Sequence, residues 1–363
     1  MRRLLKTIPA IFTFLATQIL FAQQPNKGFK LYAHWNDTNI KTSLGFRADW
    51  KDIMGWYDTT KHKEYIISGN TDSVYFFEIG NHQIIKRDVK WGLGSFTNRD
   101  FEVYGHYAYV VADVWSKSKL VIYDLQYLPD SVHEVYSNDT FLSRSHTIFI
   151  DSMSKRLYVS GIVKRESGGN SPSMVILSLE NPENPTLLAD VYTPFANVCD
   201  YIHETFVRND TAFCSCVEQG LTIVDVKDPG NLKIISSITP PYPFNGYNHS
   251  GWTDPTGKYL AFVDEVPKGL PIKIYDISDI RHPEYLLHFN NGTKATPHNI
   301  YWKDYLLYVS YYESGVVVFD MRNPLQPKII AQYDTFSDTL PDNEQGDMVG
   351  SGAFTHISLR AKL

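Results

Sequence analysis

The chain has 363 residues, and its 40 acidic against 34 basic side chains give it a formal net charge of −6. A net negative charge disfavours nucleic acids and anionic membrane surfaces as partners, because both are polyanions. Aromatic residues make up 14% of the chain and stand in short apolar runs with Val and Ile, a composition typical of strands and not of helices.

The first predicted element is a secretory signal over residues 1–22. It has a cationic start, MRRLLK, an apolar stretch over residues 8–21 and the small residue Ala22 at the expected cleavage point. The apolar stretch is too short to be taken first as a transmembrane span. We therefore expect an extracytoplasmic mature chain without such a span, either secreted or held at the cell surface, with the periplasm as an alternative.

Residues 23–345 are predicted to form one repeat domain. A hydrophobic phrase recurs in it as KLVIYD, GLTIVD, PIKIYD and GVVVFD. Alignment on such runs gives six units, 46 to 57 residues apart, whose first strands begin at Asp52, Asp100, His146, His203, His249 and His298. This period, with four short strands per unit and Pro- or Gly-containing turns between them, is typical of propeller blades. Because a single four-stranded sheet cannot bury both faces, the blades must stack around an axis, and the predicted fold is an all-β propeller.

The repeated phrases also resemble those of a known family. GLTIVDVKDP, IKIYDISDI and VVVFDMRNP resemble the LVIVD repeat. The order DIMGWYD, NRDFEVY, SHTIFID, IHETFV, NHSGWTD with FVDE, and PHNIYW is similar to the exported bacterial family called choice-of-anchor B, from about residue 29 to about residue 345. The resemblance implies a secreted or surface-held β-propeller, usually of seven blades, whose biochemical activity is not established in the family at large.

The end of the chain departs from that family's pattern. After YDTFSDTLPDNEQG only Gly352-Ala353-Phe354 resembles the start of a final blade, so residues 346–363 are predicted to be a truncated start of that blade with an atypical tail. The segment KGFKLYAHW, which would supply the closing outer strand of that blade, would lack most of its partners. We expect six complete blades of a seven-bladed type, and we favour an open ring over a closed ring of six.

The three cysteines lie around the fourth unit. Cys214 and Cys216 share one face of a strand and Cys199 precedes the same blade, so one disulfide is compatible with an oxidising compartment. Three buried thiols are the alternative, and the sequence favours that alternative. The cysteine spacing does not resemble a zinc site.

The residues that begin the first strands are candidate metal ligands. The innermost strand of each propeller blade lines the central channel, so equivalent positions in successive blades form a ring around the axis. Two carboxylates and four imidazoles in such a ring suit a divalent ion such as Zn²⁺, Mn²⁺, Fe²⁺ or Ca²⁺. The predicted metal ligands are Asp52, Asp100, His146, His203, His249 and His298.

A second regularity places carboxylates at the turn between the second and third strands of a blade. Fifteen residues after three of the histidines stand Glu218, Asp264 (followed by Glu265) and Glu313, and Asp113 follows Asp100 by thirteen. These turns lie at the same rim of the channel as the starts of the first strands. Arg99 either pairs with Asp100 or faces an anionic ligand. The predicted ligand-binding residues are Arg99, Asp113, Glu218, Asp264, Glu265 and Glu313.

Three functions remain open from the sequence. The protein is a binding module that holds a small molecule or a surface partner at the rim, a metal-dependent hydrolase of an ester, lactone or sugar-derived substrate, or a scaffold whose buried His and Asp side chains only hydrogen-bond between strands or blades. The sequence contains no G-x-S-x-G and no H-E-x-x-H motif, so it does not decide whether the protein is an enzyme.

Overall fold

The computed structural model describes residues 27–35, 52–70, 72–90, 98–113, 118–162, 171–192, 195 and 197–334. Within these ranges the chain forms 24 strands in six antiparallel four-stranded sheets and contains no helix. The prediction of an all-β propeller with six complete four-stranded blades is confirmed. The predicted signal, residues 1–22, and the predicted truncated blade, residues 346–363, lie outside the described residues.

Each blade takes four consecutive strands in chain order. Blade 1 contains β1 (Ile53–Asp58), β2 (Lys63–Gly69), β3 (Val74–Ile79) and β4 (Ile84–Lys90). Blade 2 contains β5 (Asn98–Tyr104), β6 (Tyr107–Asp113), β7 (Leu120–Asp124) and β8 (His133–Asn138). Blade 3 contains β9 (Thr147–Asp151), β10 (Arg156–Ser160), β11 (Met174–Ser178) and β12 (Thr186–Val191).

The second half of the chain repeats this arrangement. Blade 4 contains β13 (Glu204–Arg208), β14 (Thr211–Ser215), β15 (Leu221–Asp225) and β16 (Lys233–Ile238). Blade 5 contains β17 (Asn248–Thr253), β18 (Tyr259–Asp264), β19 (Ile272–Asp276) and β20 (Glu284–Phe289). Blade 6 contains β21 (Pro297–Lys303), β22 (Leu306–Tyr311), β23 (Gly315–Asp320) and β24 (Lys328–Tyr333).

The first strand of each blade is the innermost. The first strands of successive blades contact one another, β1 with β5, β5 with β9, β9 with β13, β13 with β17 and β17 with β21. The repeated hydrophobic phrases form the third strands, such as β7 and β23, which are buried along their whole length between neighbouring sheets. Fourth strands such as β8 are mostly exposed and face the periphery. This order brings the residues at the starts of the first strands to a common channel.

Apolar packing between neighbouring sheets holds the blades together. Five clusters of buried residues join blades 1 and 2, 2 and 3, 3 and 4, 4 and 5, and 5 and 6. In the first of these, the ring of Phe76 meets the ring of Tyr123 edge-on with centroids 5.4 Å apart. The described ranges contain no equivalent cluster between blade 6 and blade 1. The junction between the last and the first blade is therefore of a different kind.

A segment that we call the strap, residues 27–35, makes that junction. Lys27 exchanges two backbone hydrogen bonds with Gln332 of β24, at 2.9 and 2.7 Å. At the other end, the Trp35 ring packs against Phe77 of β3 with centroids 4.9 Å apart, and the Tyr32 hydroxyl donates to the Gly80 carbonyl at 2.9 Å. The strap was expected to lack most of its partners, because the final blade that it would complete is truncated. In the structure it links the outer strand of blade 6 to the face of blade 1.

Two of the three cysteines form a disulfide. Cys199 is bonded to Cys216, with their Cα atoms 5.1 Å apart, and Cys214 is a buried free thiol. The expectation of three buried thiols was therefore wrong for this pair. The bridge ties the loop before β13 to the turn after β14, next to His203.

The described ranges contain no helix that is long and apolar enough to cross a membrane.

Candidate functional site

The four predicted histidines form a continuous row, which we call the histidine arc. The ring centroids of His146 and His203 are 4.2 Å apart, those of His203 and His249 are 4.0 Å apart, and those of His249 and His298 are 4.2 Å apart. His203 and His249 in the middle of the row are buried, with 5% and 4% of their surface exposed. The structure thus brings the four imidazoles together, one from each of blades 3 to 6.

The two predicted aspartates occupy a different position in their blades. The Asp52 carboxylate accepts the backbone N–H of Phe101, the residue after Asp100, at 3.0 Å. The Asp100 carboxylate accepts the N–H of Ile148, the residue after Thr147, at 2.6 Å. Asp100 therefore corresponds to Thr147, and His146 stands one position earlier. The alignment of the aspartates with the histidines was wrong by one residue, because the strand ladder sets the correspondence and the hydrophobic pattern does not.

Backbone irregularities account for the direction of two histidines. The register between β17 and β18 shifts between Asn248 and Ser250, and the register between β21 and β22 shifts between Pro297 and Asn299. Each shift leaves one histidine, His249 or His298, without a partner in the ladder. An extra residue of this kind bends its strand and re-aims its side chain. Because of the bulges, these two imidazoles do not follow the usual alternation of side chains between the two faces of a strand.

Three imidazoles of the arc have lowered pKa values and incomplete hydrogen bonding. Burial is the main cause that lowers the pKa of His203 and His249 well below the ordinary range and the pKa of His298 to about 3, and neighbouring imidazoles lower them further. The buried Nδ1 atoms of these three residues have no hydrogen-bond partner in the described structure. A neutral imidazole with a free nitrogen is the form in which histidine binds a metal ion.

Two carboxylates complete the groups that are compact enough for a metal ion. One group is His203, Glu204 and His249, and the other is His249, Glu265 and His298. In each group one ligand atom per residue lies within 4.8 Å of the others. Glu265 was predicted at the rim, whereas Glu204 was not singled out, although it directly follows His203. The groups do not include Asp52, Asp100 or His146.

Glu265 is held in place from the rim side. Its Oε1 accepts a hydrogen bond from the Tyr312 hydroxyl at 2.5 Å, and its Oε2 lies 3.7 Å from Nε2 of His249. The Tyr312 ring also packs against His298, with centroids 4.5 Å apart. One tyrosine therefore orients both the carboxylate and an imidazole of the same group.

At the other end of the arc, His146 belongs to a separate polar cluster. Its Nδ1 lies 2.8 Å from Oδ2 of Asp113, and Arg144 donates to the other oxygen of that carboxylate. Burial alone would raise the pKa of Asp113, but the hydrogen bonds from His146 and Arg144 outweigh burial and lower it. Asp113 was predicted to accompany Asp100 of its own blade, and the structure pairs it with the histidine of the next blade.

Asp52 and Asp100 connect inner strands. Burial raises the pKa of both carboxyl groups, and for Asp52 the charge of Asp100 raises it further. Interaction between the two carboxyl groups also raises the pKa of Asp52, and it opposes the effect of burial on Asp100. Their remaining contacts with the backbone N–H groups of Ile53, Phe101 and Ile148 tie blades 1, 2 and 3 together around the channel.

Three of the predicted rim residues have partners away from the arc. Asp264 is fully buried against Lys273, with Oδ2 and Nζ 2.8 Å apart. Arg99 donates from Nε to the Asn70 carbonyl at 2.8 Å, and burial lowers its pKa to about 10. Glu313 accepts the backbone N–H of Thr296 at 2.9 Å and pairs with the exposed Lys268 at 2.6 Å. These groups are not brought to the histidine arc.

Glu218 lines a cleft beside the arc. The cleft has a volume of about 280 Å³ and is lined by Glu218, Pro240, Asn245, Gly246, Tyr247 and Val266. The Tyr247 ring also meets His203 edge-on, with centroids 5.7 Å apart. The cleft and the arc therefore share one wall, and a small molecule in the cleft would lie next to the candidate metal ligands.

Comparison with known proteins supports the fold and leaves the activity open. No protein-family model matches the sequence, and no curated protein matches it either. Among solved structures, the periplasmic gluconolactonase PpgL of Pseudomonas aeruginosa aligns with a TM-score of 0.59 at 10% identity, over 79% of this chain and 86% of its own. A functionally unknown protein of Desulfotomaculum acetoxidans aligns with a TM-score of 0.55 at 10% identity, over 79% and 86%. Sqt1 of Saccharomyces cerevisiae aligns with a TM-score of 0.53 at 12% identity, over 77% and 74%. At such identities the likeness is one of fold alone.

Proposed function

We propose that the protein is an exported β-propeller that binds a divalent transition-metal ion in the histidine arc and uses the ion to hold a small ligand. The observation that carries the proposal is the set of three buried Nδ1 atoms without partners, on His203, His249 and His298. The carboxylates of Glu204 and Glu265 lie within reach of the same imidazoles. When bound, the ion would supply a Lewis-acidic centre that attracts an oxygen of the ligand.

The ligand atoms favour some metals over others. Imidazole nitrogens with one carboxylate suit Zn²⁺, Mn²⁺ and Fe²⁺, whereas Ca²⁺ prefers six to eight oxygen atoms. Each candidate group offers two imidazoles and only one carboxylate, so Ca²⁺ is the least suitable of the ions considered. We therefore expect zinc to bind more tightly than calcium.

A purely structural role explains the arc less well. Buried polar atoms in a scaffold are normally hydrogen-bonded, and each one left unpaired costs about 1–3 kcal/mol. The inter-blade role is filled by other residues, since Asp52 and Asp100 accept backbone N–H groups from the neighbouring blades. The three imidazole nitrogens without partners lie in one row, where a single ligand could reach more than one of them.

Metal analysis tests this proposal directly. The purified protein, dialysed against Zn²⁺ and then against buffer, is expected to retain one ion per chain by mass spectrometry of the metal. His249→Ala removes the residue common to both groups and is expected to lower retention at least tenfold. His282→Ala is the matched control, because His282 is 79% exposed, pairs with Asp279 and belongs to neither candidate group. Equal retention by both variants, or no retention by the parent, would remove the basis of the proposal.

Export and family membership are also part of the proposal. The predicted signal over residues 1–22 and the Cys199–Cys216 disulfide both support an oxidising, extracytoplasmic location. The order of the repeated motifs supports membership of the choice-of-anchor B family with its LVIVD repeat. Within that family the domain would act as a rigid recognition platform at the cell surface.

Metal-dependent hydrolysis is the second candidate function. The cleft of about 280 Å³ next to His203 favours it, and so does the similarity in fold to a protein named as a gluconolactonase. A bound ion would polarise the carbonyl group of an ester or lactone in the cleft. Hydrolysis of glucono-lactone that requires added Zn²⁺ and disappears in His249→Ala would favour the enzyme. Metal retention without any turnover would favour the binding module.

A further inference from the structure

The Cys199–Cys216 disulfide lies next to one of the two candidate metal groups. The bonded cysteines enclose two members of that group, since His203 and Glu204 stand between them in the chain. Both cysteines are completely buried. The bridge therefore belongs to the same part of the protein as the group formed by His203, Glu204 and His249, which we call the first metal group.

The disulfide anchors the loop that precedes the first ligand. Residues 197–203 lie between β12 and β13 and outside both strands. Near the start of this loop Cys199 is bonded to Cys216, and at its end the backbone N–H of His203 donates to the Ser215 carbonyl at 2.8 Å. Because Ser215 and Cys216 are consecutive, both ends of the loop are fastened to the same end of β14. The position of His203 therefore depends on a covalent bond as well as on a hydrogen bond.

On its other side, the disulfide adjoins a turn that contacts blade 5. Val217 directly follows Cys216 and has a φ of 48°, in the left-handed region that β-branched residues rarely adopt. Its carbonyl accepts the backbone N–H of Asn248 at 2.9 Å, and Asn248 directly precedes His249. A backbone conformation of this kind persists only where the surrounding structure imposes it. The bridge at Cys216 and the contact with Asn248 are two such restraints.

The disulfide is thus connected to all three ligands of the first metal group. Cys199 is connected through the anchored loop to His203 and Glu204, and Cys216 is connected through the turn to His249. These ligands come from blades 4 and 5, so their spacing depends on how the two blades are held together. A metal site requires its ligands to be fixed to within about 0.5 Å. A covalent restraint at the junction of the two blades suits that requirement.

We infer that the Cys199–Cys216 disulfide is a positioning element of the first metal group, so that oxidation of the two thiols completes this group. The inference rests on the proposed metal-binding function. In the oxidation, the two thiols lose two protons and two electrons and their sulfur atoms form one bond. A disulfide of the oxidising compartment accepts the protons and electrons and becomes two thiols. The reduced chain has the same ligands but binds the ion more weakly, so metal uptake follows formation of the bridge.

Zinc titration of two variants tests the effect on the metal ion. The double variant Cys199→Ala, Cys216→Ala lacks the bridge and is expected to bind Zn²⁺ about 10- to 100-fold more weakly, the range found when residues that orient metal ligands are replaced. Cys214→Ala is the matched control, because it removes a buried sulfur from the same apolar cluster and leaves the bridge intact. The control is expected to bind Zn²⁺ as the parent does. Equal affinity of the double variant and the parent, or an equal loss in the control, would overturn the inference.

Hydrogen exchange in the metal-free protein tests the same positioning without the ion. Loss of the bridge is expected to speed exchange of the backbone N–H groups of His203 and Asn248 at least about tenfold, whereas blades 1 and 2 keep the rates of the parent. The parent reduced with a phosphine is expected to behave like the double variant. Equal acceleration in all blades, or unfolding of both forms without the bridge, would overturn the inference, because the bridge would then support the whole fold. Unchanged rates at His203 and Asn248 would overturn it equally.

The two measurements separate this inference from the proposed function. A parent that binds no Zn²⁺, but exchanges faster at His203 and Asn248 when the bridge is lost, would contradict the metal function and support the positioning by the disulfide. Zn²⁺ bound equally with and without the bridge would support the metal function and contradict the positioning.

Discussion

Burial is the main cause that lowers the pKa of three histidines of the arc. His203, His249 and His298 share this property because each lies buried at the start of an inner strand. His146 differs, because its Nδ1 lies 2.8 Å from Oδ2 of Asp113. The row therefore has three imidazoles suited to a metal ion and a fourth that is oriented by a carboxylate. The four histidines are equivalent in the sequence repeat, and their contacts in the structure distinguish His146 from the other three.

Glu204 gives a prediction about pH at the residue scale. Burial, and secondarily the charge of Asp100, raises its pKa to about 8, whereas an unfolded glutamate titrates near about 4.3. Between these values the folded protein holds a proton that the unfolded chain releases, so this residue's contribution to stability is present below pH 4.3 and is lost as pH rises through 8. Glu204→Gln should remove that loss. Relative to its parent, the variant should gain about 2–5 kcal/mol in free energy of unfolding as pH rises from 5 to 8.

Urea unfolding at a series of pH values measures this effect. A chelator is included, because a bound metal ion would favour the ionised carboxylate of Glu204 over its protonated form. The histidines act in the opposite direction, because their lowered pKa values cost stability as pH falls below about 6.5. That contribution is common to parent and variant and cancels in the difference. Glu218→Gln, at an exposed position, is the matched control. A parent-to-variant difference that stays constant with pH would show that Glu204 is ionised and solvated in the fold.

At the scale of elements, the ladder hydrogen bonds determine which residues correspond. The hydrophobic runs located the blades, and the predicted starts at residues 52, 100, 146, 203, 249 and 298 fall within two residues of the observed first strands. A shift of one residue exchanges the faces of a strand, and hydrophobic periodicity does not resolve such a shift at a strand end. The bulges at His249 and His298 make the register harder to predict, because an extra residue in a polar segment does not change the hydrophobic pattern.

The strap gives a second prediction at this scale. Trp35 is half-buried against Tyr75 and Phe77 of β3, and it anchors the segment that links blade 6 to blade 1. Trp35→Ala should lower the free energy of unfolding by about 1–3 kcal/mol, less than for a fully buried tryptophan. Denaturant titration measures the loss. Leu31→Ala, at a site that is 57% exposed in the same strap, should change stability by less than about 0.5 kcal/mol. Similar losses in both variants would mean that Trp35 does not anchor the strap.

At the scale of the whole molecule, the sequence predicts the architecture better than the site. Six units of one period determine an all-β propeller because each unit must bury two faces against its neighbours. The carboxylates were harder to place, since Asp264 and Glu265 are adjacent in the chain, yet one is buried under Lys273 and the other reaches the arc. At the end of a strand, local backbone twist and contacts with other blades decide which of two adjacent residues faces the channel. Glu204 was missed for the same reason.

The ring itself positions the candidate metal centre. Each imidazole of the arc comes from a different blade, so the distances of 4.0 to 4.2 Å between rings depend on the packing of four successive sheets. No single blade contains both histidines and the carboxylate of either group. The proposed function is therefore a property of the assembled propeller.

Anomalous diffraction at the zinc absorption edge, from crystals grown with Zn²⁺, locates any metal ion in the channel. One strong peak is expected there, about 2.0–2.1 Å from an imidazole nitrogen of His249 and from a nitrogen of His203 or His298. A channel without a peak, in crystals whose exposed histidines such as His282 do carry zinc, would rule out the proposed metal site.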